Sequence, residues 1–247
     1  MIASSFSANQ IAVIALAIFA SALVSAVAGF GFGLLSVPLM SLVIDLHSAV
    51  IVSSIVAVFS NGTQTVIYRK VRNRPLATRL TLASVFGLPV GYIAYDLVSD
   101  HVLRYALSIG VVLAVVMLMR GASLAHVGPR LDWALGFASG VLNTSISTSG
   151  PPLVFDLQSR ELDAEPFRGT INFVFLVSGV IGLVIFAIGG KIHPHELVAG
   201  AIAVPALALG FACGLPLRRR FSPQRFRVLV LVLLVAGAAA AVAKVFT

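Results

Sequence analysis

The chain has 247 residues, of which 59% are hydrophobic and 11% charged, with a mean hydropathy of +1.03 and a formal net charge of +8. Soluble domains carry about a quarter of their residues as charges, so this composition excludes a soluble globular domain and indicates an all-α integral membrane protein. The basic excess lies in short segments between apolar runs rather than on one soluble face, which argues against nucleic acid as a partner and for orientation in a bilayer.

The first uncharged run covers residues 1–44. As one helix it would be about 65 Å long, roughly twice the hydrocarbon thickness of about 30 Å, so it must turn. The corner expected is Gly29-Phe30-Gly31-Phe32-Gly33, because glycine accepts the backbone angles of a tight reversal. That leaves a long element at 11–28 and a short one at 34–46, kinked by Pro38. No Lys or Arg precedes Arg69, so the segment lacks the basic n-region of a signal peptide and is expected to stay in the mature protein. Long elements follow at 48–68, 75–97 and 102–119. The pattern then recurs: a long element at 133–148, a break at Ser149-Gly150-Pro151-Pro152, a short element to about 159, and long elements at 167–189, 196–217 and 225–246. Cys213, the only cysteine, falls in an apolar run and reads as a small packing residue.

The recurrence has a register. Phe19-Ala20-Ser21 and Phe137-Ala138-Ser139 stand 118 residues apart, each just before a break. Each half reads long, short, long, long, long, which gives a first transmembrane repeat at 1–120, a connecting loop at 121–130 and a second repeat at 131–247. With five elements per half, the second repeat enters the membrane inverted. Basic residues give an independent check. If 69–79 is cytoplasmic, alternation puts 120–130, 160–168 and 218–227 on the same side, and these four segments hold 14 of the 17 Lys and Arg residues. Arg104, Lys191 and Lys244 fall on the other side. The topology expected is a multi-pass protein of the cell inner (plasma) membrane with both termini extracytoplasmic. The short elements either span or are re-entrant; charge counting gives both the same parity.

"NTSISTSGPPLVF", residues 143–155, puts five hydroxyls and a Gly-Pro-Pro break inside an uncharged run. Irregular backbone at membrane depth is tolerated where it lines a protected cavity, and inverted repeats with broken helices are the architecture of secondary transporters, with the site near the midplane. Ser, Thr and Asn supply uncharged donors and acceptors. The N-terminus of each short element carries partial positive charge, so two of them converging favour an anion.

The stretches "AGFGFGLLSVPLM" at 28–40 and "TSGPPLVF" at 148–155 resemble the paired repeat motifs of the TauE/SafE sulfite exporters, and with matching length and repeat organisation the resemblance covers essentially the whole chain. It implies transport, in the direction of export, of a small anion such as sulfite or an organosulfonate, for example sulfoacetate. In that family the first motif commonly carries consecutive glycines; here Phe30 and Phe32 interleave, which implies a bulkier tip and a different substrate.

The candidate substrate-binding residues are Gly29, Gly31 and Gly33 in the first break, Asn143, Ser147, Thr148, Ser149, Gly150 and Pro151 in the second, and Ser54, Asn61 and Asn172 in the third elements. Each has a structural alternative. Gly29 and Gly33 also suit close helix packing, and the hydroxyls and amides also suit bonding to nearby carbonyls or between helices. Asp156, four residues past Pro152, is the coupling candidate if it sits at membrane depth. Arg168 is a cytoplasmic anchor or a group that draws anions to the entrance. "HPHEL" at 193–197 lacks the second His four residues after the first, and Pro194 interrupts it, so it reads as an external loop rather than a zinc helix.

These readings converge on a secondary transporter working by alternating access around a midplane site. Its partners are the small anion and the lipid bilayer, with a coupling proton or sodium ion and homo-oligomerisation left open. No cofactor, metal or catalytic residue is expected. The alternatives are an intramembrane enzyme or channel-like component, or a transporter of a non-sulfur carboxylate.

Overall fold

The computed structural model describes residues 6–120, 128–160 and 162–220, which form nine α-helices and no strand. They are α1 (Ala8–Ala28), α2 (Phe32–Met40), α3 (Leu46–Ile67), α4 (Arg74–Leu97), α5 (Asp100–Arg120), α6 (Pro129–Ile146), α7 (Gly150–Ser159), α8 (Ala164–Ile188) and α9 (Pro194–Arg220). The element expected at 225–246, Lys244, and residues 121–127 and 221–227 of the expected loops lie outside the described residues. Among the described helices, α1, α3, α4, α8 and α9 are long and apolar enough to cross a membrane.

Polar side chains cap three of these helices at their N-termini. Ser7 and Gln10 form a reciprocal capping box at α1. Asp45 accepts from the Ser48 N–H at 2.8 Å to cap α3, and Asn73 accepts from the Leu76 N–H at 3.2 Å to cap α4. α1 ends where Gly29 enters the left-handed region at φ 89°, and Gly31 follows at φ 93°, angles that glycine adopts without steric cost.

Several boundaries differ from the expectation. The first short element begins at Phe32 rather than 34 and ends at Met40 rather than 46. Asp45 must be extended to cap α3, so the chain leaves helical geometry earlier, and the Ser41 hydroxyl donates to the Pro38 carbonyl at 2.9 Å as it does so. The helix expected to 148 stops at Ile146, because Ser147 is left-handed at φ 51°. α6 starts at Pro129, inside the expected connecting loop, since proline is suited to a helix's first turn.

The outer surface is apolar, unlike that of a water-soluble protein, and polar side chains share the interior with the hydrophobic core. Leu97 and Ile188 are 78% and 84% exposed, while Ser53, Thr144, Asp156 and Asn172 are all 0% exposed. Outward Leu, Ile and Phe with inward hydroxyls and amides suit hydrocarbon as the solvent, and the chain is a multi-pass membrane protein. Cys213 is exposed on the flank of α9 rather than packed inside.

The packing interleaves the two halves. α1 lies along α9, α6 lies along α4, and α3 and α8 pack against each other between them. α2 sits beside α1 and α3, and α7 beside α6 and α8. This arrangement brings the two short helices, and the irregular backbone before each, to the middle of the molecule.

Candidate functional site

The site begins with two interruptions that meet. Gly33, at the start of α2, lies so close to the Ser147 carbonyl that a Cβ on it would overlap the oxygen. Gly150, at the start of α7, faces the first break in turn: a Cβ there would lie 3.4 Å from Leu34 Cδ1 and 3.8 Å from Phe30 Cδ2. The second break is strained. Ser147 ends α6 in the left-handed conformation, with its N–H donating to the Asn143 carbonyl at 2.9 Å and the Thr148 N–H to the Leu142 carbonyl at 3.1 Å. A non-glycine residue held there costs roughly 1–2 kcal/mol, and such strain clusters at functional sites.

Between the breaks lies a cavity of about 40 Å³. A water needs roughly 10–15 Å³ of such space, so there is room for a few waters or one small oxyanion. Of the residues expected to bind substrate, Gly31, Gly33, Ser54 and Asn61 line it from the first half and Asn143, Ser147, Thr148, Ser149 and Gly150 from the second. The lining also includes Ser25, Phe30, Phe32, Leu34, Ala57, Phe175 and Gly179. Most of these were within reach of the sequence, since the 118-residue register carries Asn143 to Ser25 and Asn61 to Gly179.

Every side chain in that lining is uncharged. Positive potential comes instead from the N-termini of α2 and α7, neither of which has a side-chain cap. They differ in donors. α2 opens with Phe32, Gly33 and Leu34, whose N–H groups precede the first helical bond, from the Leu35 N–H to Gly31, whereas Pro151 and Pro152 remove two such donors from α7. Hydroxyls replace them. The Ser54 hydroxyl donates to Ser147 Oγ at 3.2 Å, Ser147 donates to Ser53 Oγ at 3.3 Å, and Ser53 and Ser36 share a bond of 2.7 Å. The Asn143 amide donates to Ser149 Oγ at 3.4 Å. This chain of hydroxyls ties α2 and α3 to the opposite break.

Five expected site residues stand outside the lining. Gly29 is behind it: a Cβ there would run into the Arg168 side chain, and its carbonyl accepts from the Asn172 amide at 2.8 Å. Asn172 also donates to the Arg168 carbonyl at 2.9 Å, while the Arg168 guanidinium donates to the Val27 carbonyl at 2.9 Å. Asn172 and Arg168, both on α8, therefore brace the C-terminus of α1 from the rear. Pro151 is buried in the first turn of α7, which it shapes rather than lines. Asp156 lies six residues beyond Gly150, about 9 Å of helix rise, in a separate buried ion cluster. Arg160 bridges Asp132 and Asp156, its Nε lying 3.4 Å from Asp156 Oδ1, and Arg79 donates to Asp132 Oδ2 at 2.8 Å. Both carboxylates are 0% exposed.

On the far side of the molecule, His193 and Glu196 start α9. The His193 N–H donates to Glu196 Oε2 at 2.8 Å, and Glu196 Oε1 accepts from the Ser48 hydroxyl at 3.0 Å. The "HPHEL" segment thus serves as a helix start tied to α3.

A family model described as "Sulfite exporter TauE/SafE" matches residues 13–241. Among curated proteins, the chain is 31% identical over 99 residues to the "Probable inner membrane transporter protein TsaS" of Comamonas testosteroni, a stretch covering 40% of this chain and 41% of that one. It is 25% identical over 154 residues to the "Probable sulfite/organosulfonate exporter TauE" of Cupriavidus necator, covering 59% of each. The chain therefore spans less than two thirds of the length of either relative. No solved structure matches.

Proposed function

From the premise that this chain belongs to the TauE/SafE sulfite exporter family, we propose that it is a secondary transporter that moves a small anion through the cavity between the two helix breaks. The substrate class is sulfite or an organosulfonate such as sulfoacetate, exported by alternating exposure of that cavity. The observation carrying the reading is the contact of Gly33 with the Ser147 carbonyl, which puts two uncapped helix N-termini and a run of hydroxyls around one small uncharged space.

Alternating access requires two halves that exchange roles, and the packing supports an inverted repeat. α1 lies on α9 as α6 lies on α4. In finer detail, Cβ atoms on Gly210 and Gly214 of α9 would meet Phe19 O and Leu23 O, and Cβ atoms on Gly87 and Gly91 of α4 would meet Phe137 O and Val141 O. The acceptor pairs obey the same 118-residue register as the Phe-Ala-Ser repeat.

In this scheme the hydroxyls of Ser147, Thr148 and Ser149 and the amides of Asn61 and Asn143 contact the anion. Gly31 and Gly33 allow the backbone to approach it. Asn172 and Arg168 hold the first break in place, and Asp156 is the coupling carboxylate, its proton changing the ion cluster that joins α4, α6 and α7. The basic segment 69–79 faces the cytoplasm and both termini face outward.

The test is counterflow in proteoliposomes. Vesicles preloaded with unlabelled sulfite or sulfonate should transiently accumulate labelled substrate from outside. An enzyme gives no such overshoot, and a channel gives no acceleration by trans substrate, so a flat trace with folded protein would overturn the reading.

A further inference from the structure

The 118-residue register pairs most of the cavity lining with itself. Ser25 corresponds to Asn143, Asn61 to Gly179, Gly31 to Ser149, Phe30 to Thr148, Phe32 to Gly150, and Phe175 to Ala57, and both members of all six pairs line the cavity. The three phenylalanines break the balance: each stands opposite a small counterpart.

We infer that Phe30, Phe32 and Phe175 form a rigid size filter that sets the upper limit on the anion this chain accepts. The inference rests on the cavity being the anion site proposed above. The rings are buried at 8%, 4% and 7% exposure, so they are walls rather than mobile flaps. Phe30 is held edge-on against Phe167 on α8, with centroids 6.1 Å apart and planes at 68°, an arrangement preferred by aromatic quadrupoles. Its ring also lies over the N-terminus of α7, 3.8 Å from where a Gly150 Cβ would be. An anion whose charged head engages the helix N-termini and the hydroxyls must direct any remaining atoms toward these rings. The rings are chemically compatible with a short hydrocarbon, but a cavity of about 40 Å³ has no depth for a long one. Size, rather than polarity, is what they read. In a roomy apolar pocket each buried methylene would raise affinity roughly fourfold; here added methylenes work against binding.

The test uses the full chain in detergent and measures Kd by thermal stabilisation for sulfite and for the n-alkanesulfonates from methanesulfonate to hexanesulfonate. The readout is the ratio of butanesulfonate to methanesulfonate affinity within each protein, which cancels general losses. In the wild type that ratio should be about 0.1 or lower. Phe175→Leu and Phe30→Thr should raise it by tenfold or more, and Ala57→Val, which narrows the same space from the other half, should lower it. The opposite variant keeps the test decisive if a phenylalanine variant fails to fold. Affinity that climbs steadily with chain length in the wild type, or ratios unchanged by the variants, overturns the filter alone. If the folded wild type binds neither sulfite nor any sulfonate, the anion reading falls and takes the filter with it.

Discussion

At the residue scale the two breaks are unequal. The first uses glycine at both positive-φ positions, while the second puts Ser147 at φ 51°, where a hydroxyl is obtained at the cost of strain. Two substitutions separate these roles. Ser147→Gly relieves the backbone and should leave the protein as stable as wild type or up to about 1 kcal/mol more so, whereas Ser147→Ala keeps the strain and loses the hydroxyl bonds. Both should weaken anion-dependent thermal stabilisation at least tenfold; a normal ligand response in both would remove the Ser147 hydroxyl from the site. The ion cluster gives a second prediction. Asp132 is fully buried between Arg79 and Arg160, and removing one partner of a buried ion pair costs about 3–5 kcal/mol. Asp132→Asn should therefore lower Tm sharply. Asp156→Asn, if Asp156 couples protons to transport, should retain counterflow while losing flux driven by a proton gradient; loss of both would give Asp156 a structural role. The glycines of the first break and the hydroxyls of the second stood out in the sequence because they are clustered, at residues 29–33 and 144–149. Ser147's left-handed backbone did not, since serine carries no preference for that region, and neither did the bracing role of Asn172 and Arg168, which depends on α8 reaching the end of α1.

At the element scale, helices were legible to within a few residues wherever a capping side chain, a proline or a charge gap marked the end. α2 was misjudged because its stop is set by Asp45, a cap that belongs to the next helix. Which helices touch was not legible. Apolar faces in hydrocarbon give little direction to pairing, and the partners are selected by small residues that let backbones approach. Gly87 against Phe137 and Gly210 against Phe19 are such contacts, each joining one half to the other. Gly87→Ala and Gly210→Ala should each destabilise by about 1–3 kcal/mol through overpacking, and by similar amounts, measured as Tm in the same detergent. A large loss in one and none in the other would contradict equivalent roles for α4 on α6 and α9 on α1.

At the scale of the whole molecule, the charge map makes the orientation testable. In a Cys213→Ser background, a cysteine at Lys191 should react with a membrane-impermeant maleimide in intact cells, and one at Lys70 only after permeabilisation; the reverse pattern would invert the topology. The membrane solvent, the helical class, the two breaks and the 118-residue register followed from the sequence alone, because hydropathy, backbone-breaking residues and repeat spacing are properties of the linear chain. Tertiary structure decided the rest. It put Asp156 in a buried ion cluster and Gly29 behind the lining, and brought Ala57 and Phe175 into it. Those placements depend on which face of each helix turns inward, and when lipid and protein interior are both apolar, only packing against the neighbouring helices selects that face.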